Sequence, residues 1–137
     1  MAANVVDARV AIKWVIAEPG TDQVLRLLRH ELCAPDLLVA DCANILWRKT
    51  RLGELSAREA SLAARLLERA EIELIPMRRL LDRAAALAIA FGHPAHDAMY
   101  LAVAESFGRP FVTADARLAR KLEGRAPAVL LLGDFAG

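Results

Sequence analysis

Four aspartates, Asp7, Asp41, Asp97 and Asp115, are the residues of this chain best placed to do chemistry together. Asp7 closes the short apolar run "NVVD", and Asp115 closes "PFVTAD". Asp97 lies early in the helical stretch that leads into "PFVTAD", and Asp41 lies in the second turn of the helical stretch after "LCAP". In a parallel α/β sheet, ligand sites lie beyond the carboxyl ends of the strands, and the helices that feed the next strands begin at that same edge. Four carboxylates far apart in sequence are therefore expected to meet. Asp7 and Asp115 also suit a simpler role, since both stand at helix starts, where Asp is a preferred cap. Asp41 and Asp97 are harder to assign to capping. Each is flanked by apolar residues within a helix, in "LLVADCANILW" and "HDAMYLAVA".

A carboxylate on a mostly buried helix needs a partner, because isolated burial of charge is costly. A divalent cation offsets the repulsion among four such groups. Oxygen-only ligation, with no paired Cys or His pattern, points to Mg2+ or Mn2+ over Zn2+. The usual work of such a centre is hydrolysis at a phosphoryl group. A phosphohydrolase or phospho-acceptor of another α/β family would tend to carry a second acid beside the first, as D-x-D. Asp7-Ala8-Arg9 counts against that reading.

The elements that must position these acids are legible as alternating short strands and helices. "NVVD", "LCAP", "IELIP", "RPFVTAD" and "AVLLLGD" read as strands, and the continuous apolar character of "VV" and "VLLL" suits strands covered on both faces. "ARVAIKWVI" reads as a helix ending at Pro19-Gly20, and Thr21 as the cap of the helix "DQVLRLLRHE". Gly53, Gly92 and Gly108 stop the helices that precede them. Ser56 and Glu59 form the S-x-x-E pattern of a capping box. This order predicts an α/β fold with a central parallel sheet of four to five strands flanked by helices. The helix-rich interval 36–70 departs from strict alternation and is expected to form a helical arm or hairpin.

At 137 residues the chain is expected to be a single domain, 1–137. It is 56% hydrophobic and 26% charged, as in ordinary globular proteins and unlike disordered ones. A net charge of +1 gives no strong overall field toward nucleic acid or membrane, so a polyanion must be held by local chemistry. Cys33 and Cys42 lack the spacing of a zinc site or of a secreted disulfide framework. The longest apolar run, "AAALAIAFG", is about half of what a bilayer crossing needs, and no signal-peptide pattern is seen. These features lead to the expectation of a cytoplasmic protein with reduced thiols.

Three blocks in order carry a resemblance: "VVDARVAIKW", "APDLLVADCANILWRKTRLGEL" and "GHPAHDAMYLAVAESFGRPFVTADARLARKL". Together they cover nearly the whole chain, which resembles the PIN-domain proteins, specifically the VapC-type toxins of bacterial toxin–antitoxin modules. The resemblance implies a three-layer PIN-like fold and a Mg2+- or Mn2+-dependent endoribonuclease. It also implies an RNA substrate, a cognate antitoxin and a homodimer. Asp7 and Asp97 match the acids nearest the metal, and Asp115 matches the acid that completes the cluster. Asp41 stands where the family generally has Glu, and its shorter reach leaves room for a water-mediated contact. Asn44 falls one turn after that acid, and Thr113 matches a hydroxyl near the site.

Arg9 replaces the Ser or Thr usual in the family. Either it pairs with Asp7 or Asp115, competing with the metal, or it swings out to hold a substrate phosphate bidentately. Lys13 is expected to contact RNA phosphates at the mouth of the site, while Arg48, Lys49 and Arg51 have two readings, phosphate contacts or a solvated face, as do Arg117, Arg120 and Lys121. His93 and His96 fit no H-E-x-x-H pattern and are expected in capping or surface roles. Trp14 and Trp47 are expected to pack in the core or at an interface. Helices 36–52 and 56–70 can present an apolar groove, which in this family often receives the antitoxin helix.

Overall fold

The computed structural model describes residues 3–125 and 129–134. Five strands, β1 (Asn4–Val6), β2 (Leu32–Pro35), β3 (Ile72–Ile75), β4 (Phe111–Thr113) and β5 (Val129–Leu131), form one parallel sheet in the order β3-β2-β1-β4-β5. Among the described residues seven helices surround it: α1 (Ala8–Ala11), α2 (Thr21–Leu27), α3 (Leu37–Arg51), α4 (Ala57–Glu68), α5 (Leu81–Phe91), α6 (Ala95–Phe107) and α7 (Ala116–Lys121). β1 sits at the centre of the sheet, so the direction of the sheet order reverses beside it. Such switch points open a crevice at the carboxyl edge.

Successive side chains of a strand face opposite sides of the sheet, and the two cores follow that alternation. Val5 and Phe111 pack with Tyr100, Leu101 and Ala104 of α6 on one face. Val6 and Val112 pack with Val10 of α1 and with Val24 and Leu27 of α2 on the other. A third cluster, Ile12, Leu46 and Ala63, fastens the α3–α4 pair to the turn after α1. The helical hairpin expected over 36–70 is this pair.

Two local readings are corrected. "ARVAIKWVI" is not one helix: α1 ends at Ala11 and a 3-10 turn, Ile12–Trp14, continues it. Its β-branched residues lower the helix propensity of the stretch. Thr21 is not a cap but the first residue of α2, preceded by Gly20 at φ 97°. The Thr21 hydroxyl instead donates to the carbonyl oxygen of Glu18 and accepts from its amide, closing the Pro19-Gly20 turn.

The capping box is present as expected. Ser56 Oγ accepts from Glu59 N at 3.1 Å, and Glu59 Oε1 accepts from Ser56 N at 2.9 Å. Ser56→Ala is expected to cost about 1 kcal/mol, readable as a lowered urea midpoint with an unchanged denaturant slope.

Candidate active site

The β1–β4 register explains why Asp7 and Thr113 meet. Val5 pairs with Phe111 and Val6 with Val112, so the next step places Asp7 beside Thr113 at the carboxyl edge. Thr113 Oγ1 donates to Asp7 Oδ2 at 2.7 Å, and Asp7 Oδ1 accepts from Val10 N at 3.0 Å as the cap of α1. Asp7 thus caps α1 and also lines the crevice. It is buried, and burial pushes its carboxyl up to about 6. The bonds from Thr113 and Val10 and the nearby Arg9 charge oppose that rise, while the Asp97 charge adds to it.

A cavity of about 110 Å³ lies at this edge, and Asp7, Asp41, Asn44, Arg48 and Asp97 are among the residues lining it. Asp41 comes from the second turn of α3. Tyr100 Oη donates to its Oδ2 at 2.7 Å, and His96 Nε2 stands 2.5 Å from its Oδ1. Burial, together with the Asp41 contact, raises the Tyr100 hydroxyl far above its ordinary value, so it stays a proton donor to Asp41. Asp97, in the first turn of α6, has its Oδ2 2.6 Å from His93 Nε2.

Asp115 behaves differently. Its Oδ1 caps α7 by accepting from Arg117 N and Leu118 N, and its Oδ2 accepts from Arg9 Nη1 at 3.0 Å. Asp115 does not line the cavity, whereas Arg9 does. Of the two outcomes open for Arg9, the structure adopts the ion pair with Asp115. Among the described residues, no three His, Cys, Asp or Glu side chains converge closely enough to hold a metal ion as they stand.

The basic residues sort by their partners. Lys13 and Lys49 both bind Glu18, and Lys49 also reaches Glu54, beside a neighbouring cavity that shares Arg9 and Arg48 with the acidic one. Arg51 lies over the Trp47 ring, 4.8 Å from its centroid. Arg48 follows Asp41 and Asn44 along one face of α3 and has no carboxylate partner among the described residues. Trp14 packs inside and donates to the Val24 carbonyl, while Trp47 is exposed.

His93 and His96, expected in capping or surface roles, each meet one of the acids, His96 from an exposed position. Tyr100 is assigned no role by the sequence motifs above. The signal that could have found it is the polar stripe 96, 97 and 100 on a helix whose other residues are mostly apolar. Cys33 and Cys42 are free and buried, and burial pushes their thiols up to about 11 and about 12. Neither supplies a thiolate at neutral pH. No helix among the described residues is long and apolar enough to cross a membrane.

A five-strand parallel sheet with acids gathered at its carboxyl edge places the chain among α/β proteins with a crevice site. Residues 5–123 match the PIN domain family, and the chain belongs to that family, on its VapC side. It is 34% identical over 121 residues to Ribonuclease VapC3 of Pyrobaculum aerophilum, covering 85% of this chain and 92% of that protein. The crystal structure of PAE2754, from the same organism, shares the fold with a TM-score of 0.73 at 24% identity, covering 96% of this chain and 85% of that one. VapBC-5 of Mycobacterium tuberculosis, a member of the VapBC family of toxin–antitoxin systems, gives a TM-score of 0.54 at 22% identity, covering 96% and 98%. The PIN-like α/β fold expected from the sequence is the fold observed.

Proposed function

We propose that this chain is a Mg2+- or Mn2+-dependent endoribonuclease acting as the toxin of a toxin–antitoxin module, with residues 1–137 as one PIN-like domain. The observation that carries the reading is the cavity into which Asp7, Asp41 and Asp97 converge from β1, α3 and α6. Membership of the PIN family and the ribonuclease name of the VapC3 relative support RNA as the substrate.

The residues present fit a magnesium-like ion. Mg2+ retains several waters and is typically held by one or two carboxylates, so a closed three-residue cage is not required. Asp7 and Asp97 would hold it, and a cation there offsets the cost of ionising the buried Asp7. When bound, the ion supplies polarisation of a phosphoryl group and activation of a water. Thr113 keeps Asp7 oriented through one oxygen. Asp41, fixed by Tyr100 and His96, faces the same space and can accept a proton from an attacking water. Asn44 and Arg48 lie where a substrate phosphate would enter, and the Arg48 fork suits bidentate contact. Asp115 caps α7 and is held by Arg9; released from that ion pair, it would complete the acid cluster.

The partners follow from the same reading. A cognate antitoxin would lay a helix in the apolar groove of about 400 Å³ between α3, α4 and β3, which Leu38, Leu46, Leu67 and Leu74 help to line. A homodimer would cover Leu81 and Ile89, exposed eight positions apart on α5.

The Arg9–Asp115 ion pair favours a second reading, a PIN domain that binds RNA or antitoxin without cutting. Incubation of purified protein with RNA and Mg2+ or Mn2+ separates the two. Cleavage by the wild type, stopped by EDTA and by Asp97→Asn, is expected. Arg9→Ser, which frees Asp115, is expected to cut faster by several-fold, because an exposed ion pair of about 1 kcal/mol no longer competes for that carboxylate. RNA that stays intact with both the wild type and Arg9→Ser would leave only the binding reading.

A further inference from the structure

From Asp97, through residues that do not line the cavity, a chain of hydrogen bonds runs through three separate pieces of the fold. Lys121, the last residue of α7, donates from Nζ to the Gly92 carbonyl at 2.9 Å and lies 3.1 Å from His93 Nδ1. His93 Nε2 in turn lies 2.6 Å from Asp97 Oδ2. Gly92 ends α5 with φ 59°, so its carbonyl stands at the electronegative end of that helix, a favourable place for an ammonium.

The donor inventory fixes the direction of the chain. An ammonium has no acceptor, so Nδ1 of His93 must accept from Lys121. The single ring proton then sits on Nε2 and is donated to Asp97. His93 itself does not line the cavity, whereas Asp97 does. Asp97 Oδ1 makes no hydrogen bond among the described residues, so the imidazole engages one oxygen and leaves the other available. The six-residue helix α7 is thereby linked to the cavity lining at both ends, Asp115 at its start to Arg9 and Lys121 at its finish through His93 to Asp97.

We propose that Lys121 and His93 form a positioning relay, in which Lys121 fixes the His93 tautomer and His93 fixes the rotamer of Asp97 for cation binding. The inference rests on the metal reading above and adds to it two residues that touch neither ion nor substrate. Hydrogen-bonding partners of metal ligands set ligand orientation, and their loss typically weakens metal affinity about 10–100-fold.

Two measurements on the full chain test the relay. Long-range proton–nitrogen NMR correlations of the metal-free protein, above neutral pH, are expected to show His93 protonated on Nε2, and Lys121→Met is expected to release that preference. Mn2+ titration is expected to show affinity about 10–100-fold weaker for His93→Leu. His93→Gln, whose side-chain amide can donate from the Nε2 position, is expected to recover most of the loss. A proton on Nδ1 in the wild type overturns the relay whatever the metal data say. So does Mn2+ affinity unchanged in His93→Leu, or as weak in His93→Gln as in His93→Leu. Failure of the wild type to bind Mn2+ at all overturns the metal reading and the positioning role with it, even where the Nε2 tautomer is found.

Discussion

Asp7→Asn is expected to abolish RNA cleavage while making the metal-free protein harder to unfold near neutral pH. The two effects share one cause. Asp7 is buried at the end of the central strand, and burial pushes its carboxyl from 3.8 up to about 6. A carboxyl whose pKa is raised by folding binds its proton more tightly in the native than in the unfolded state. The contribution of Asp7 to native stability is therefore most favourable below about pH 4, falls as pH rises from there to about 6, and is level above that. The interval corresponds to about 3 kcal/mol as an upper figure.

Asn carries no charge to bury, but it does not reproduce the carboxylate's contacts. Its carbonyl oxygen can accept from Val10 N, yet its amide would face the Thr113 hydroxyl, which already accepts from Asp115 N at 3.1 Å. The hydroxyl proton is left without its acceptor, at a cost of roughly 1–2 kcal/mol. A net gain of about 1–2 kcal/mol is expected from the difference between these terms. Urea unfolding in EDTA across pH 4 to 8 checks it: the wild-type midpoint should fall relative to the variant midpoint as pH rises from about 4 to about 6, and the gap should stay constant above that. RNA cleavage should drop by on the order of a thousandfold or more, as when one member of a cooperating catalytic set is removed. A variant that loses stability at every pH would show that the hydrogen bonds outweigh the buried charge.

The acids were legible because their placement follows from local rules. A carboxylate at the end of a β-branched run, or within the first turns of a helix, is a statement about neighbours in sequence. The same holds for the Ser56 box and for the glycines that end α5 and α6. What each carboxylate touches is a different kind of fact. Arg9 chose Asp115 over Asp7, although Asp7 is the nearer in sequence, because Asp7 already accepts from Thr113 and Val10 inside the sheet edge. Asp115 then spends both oxygens on α7 and Arg9 and stands apart from the cavity. Pairings across 28 residues, as between Lys121 and His93, or across 59, as between Tyr100 and Asp41, depend on how whole helices seat on the sheet. No periodicity encodes them. The 3-10 turn after α1 escaped for a related reason, since packing of Ile12 against Leu46 and Ala63 decides that turn as much as helix propensity does.

Phe111→Ala is expected to give the largest loss of stability, about 3–5 kcal/mol, and to disturb the site from beneath. Phe111 is fully buried on β4, and its ring stacks on Tyr100 with centroids 5.4 Å apart and planes 11° from parallel. Tyr100 is equally buried and ends in the hydroxyl that holds Asp41. Truncating Phe111 therefore removes both core volume and the surface that orients the Tyr100 ring. Tyr100→Phe isolates the second effect, because it keeps the stack and deletes the donor. Its cost should be smaller, about 1–2 kcal/mol, since Asp41 is partly exposed and water can replace the lost bond. Chemical denaturation of both variants, with RNA cleavage at a temperature where each remains folded, separates packing from positioning. Equal losses of cleavage in the two would assign the effect to the Tyr100–Asp41 bond. Loss confined to Phe111→Ala would mean that α6 as a whole, not the hydroxyl, keeps the acids in register with β1 and β4.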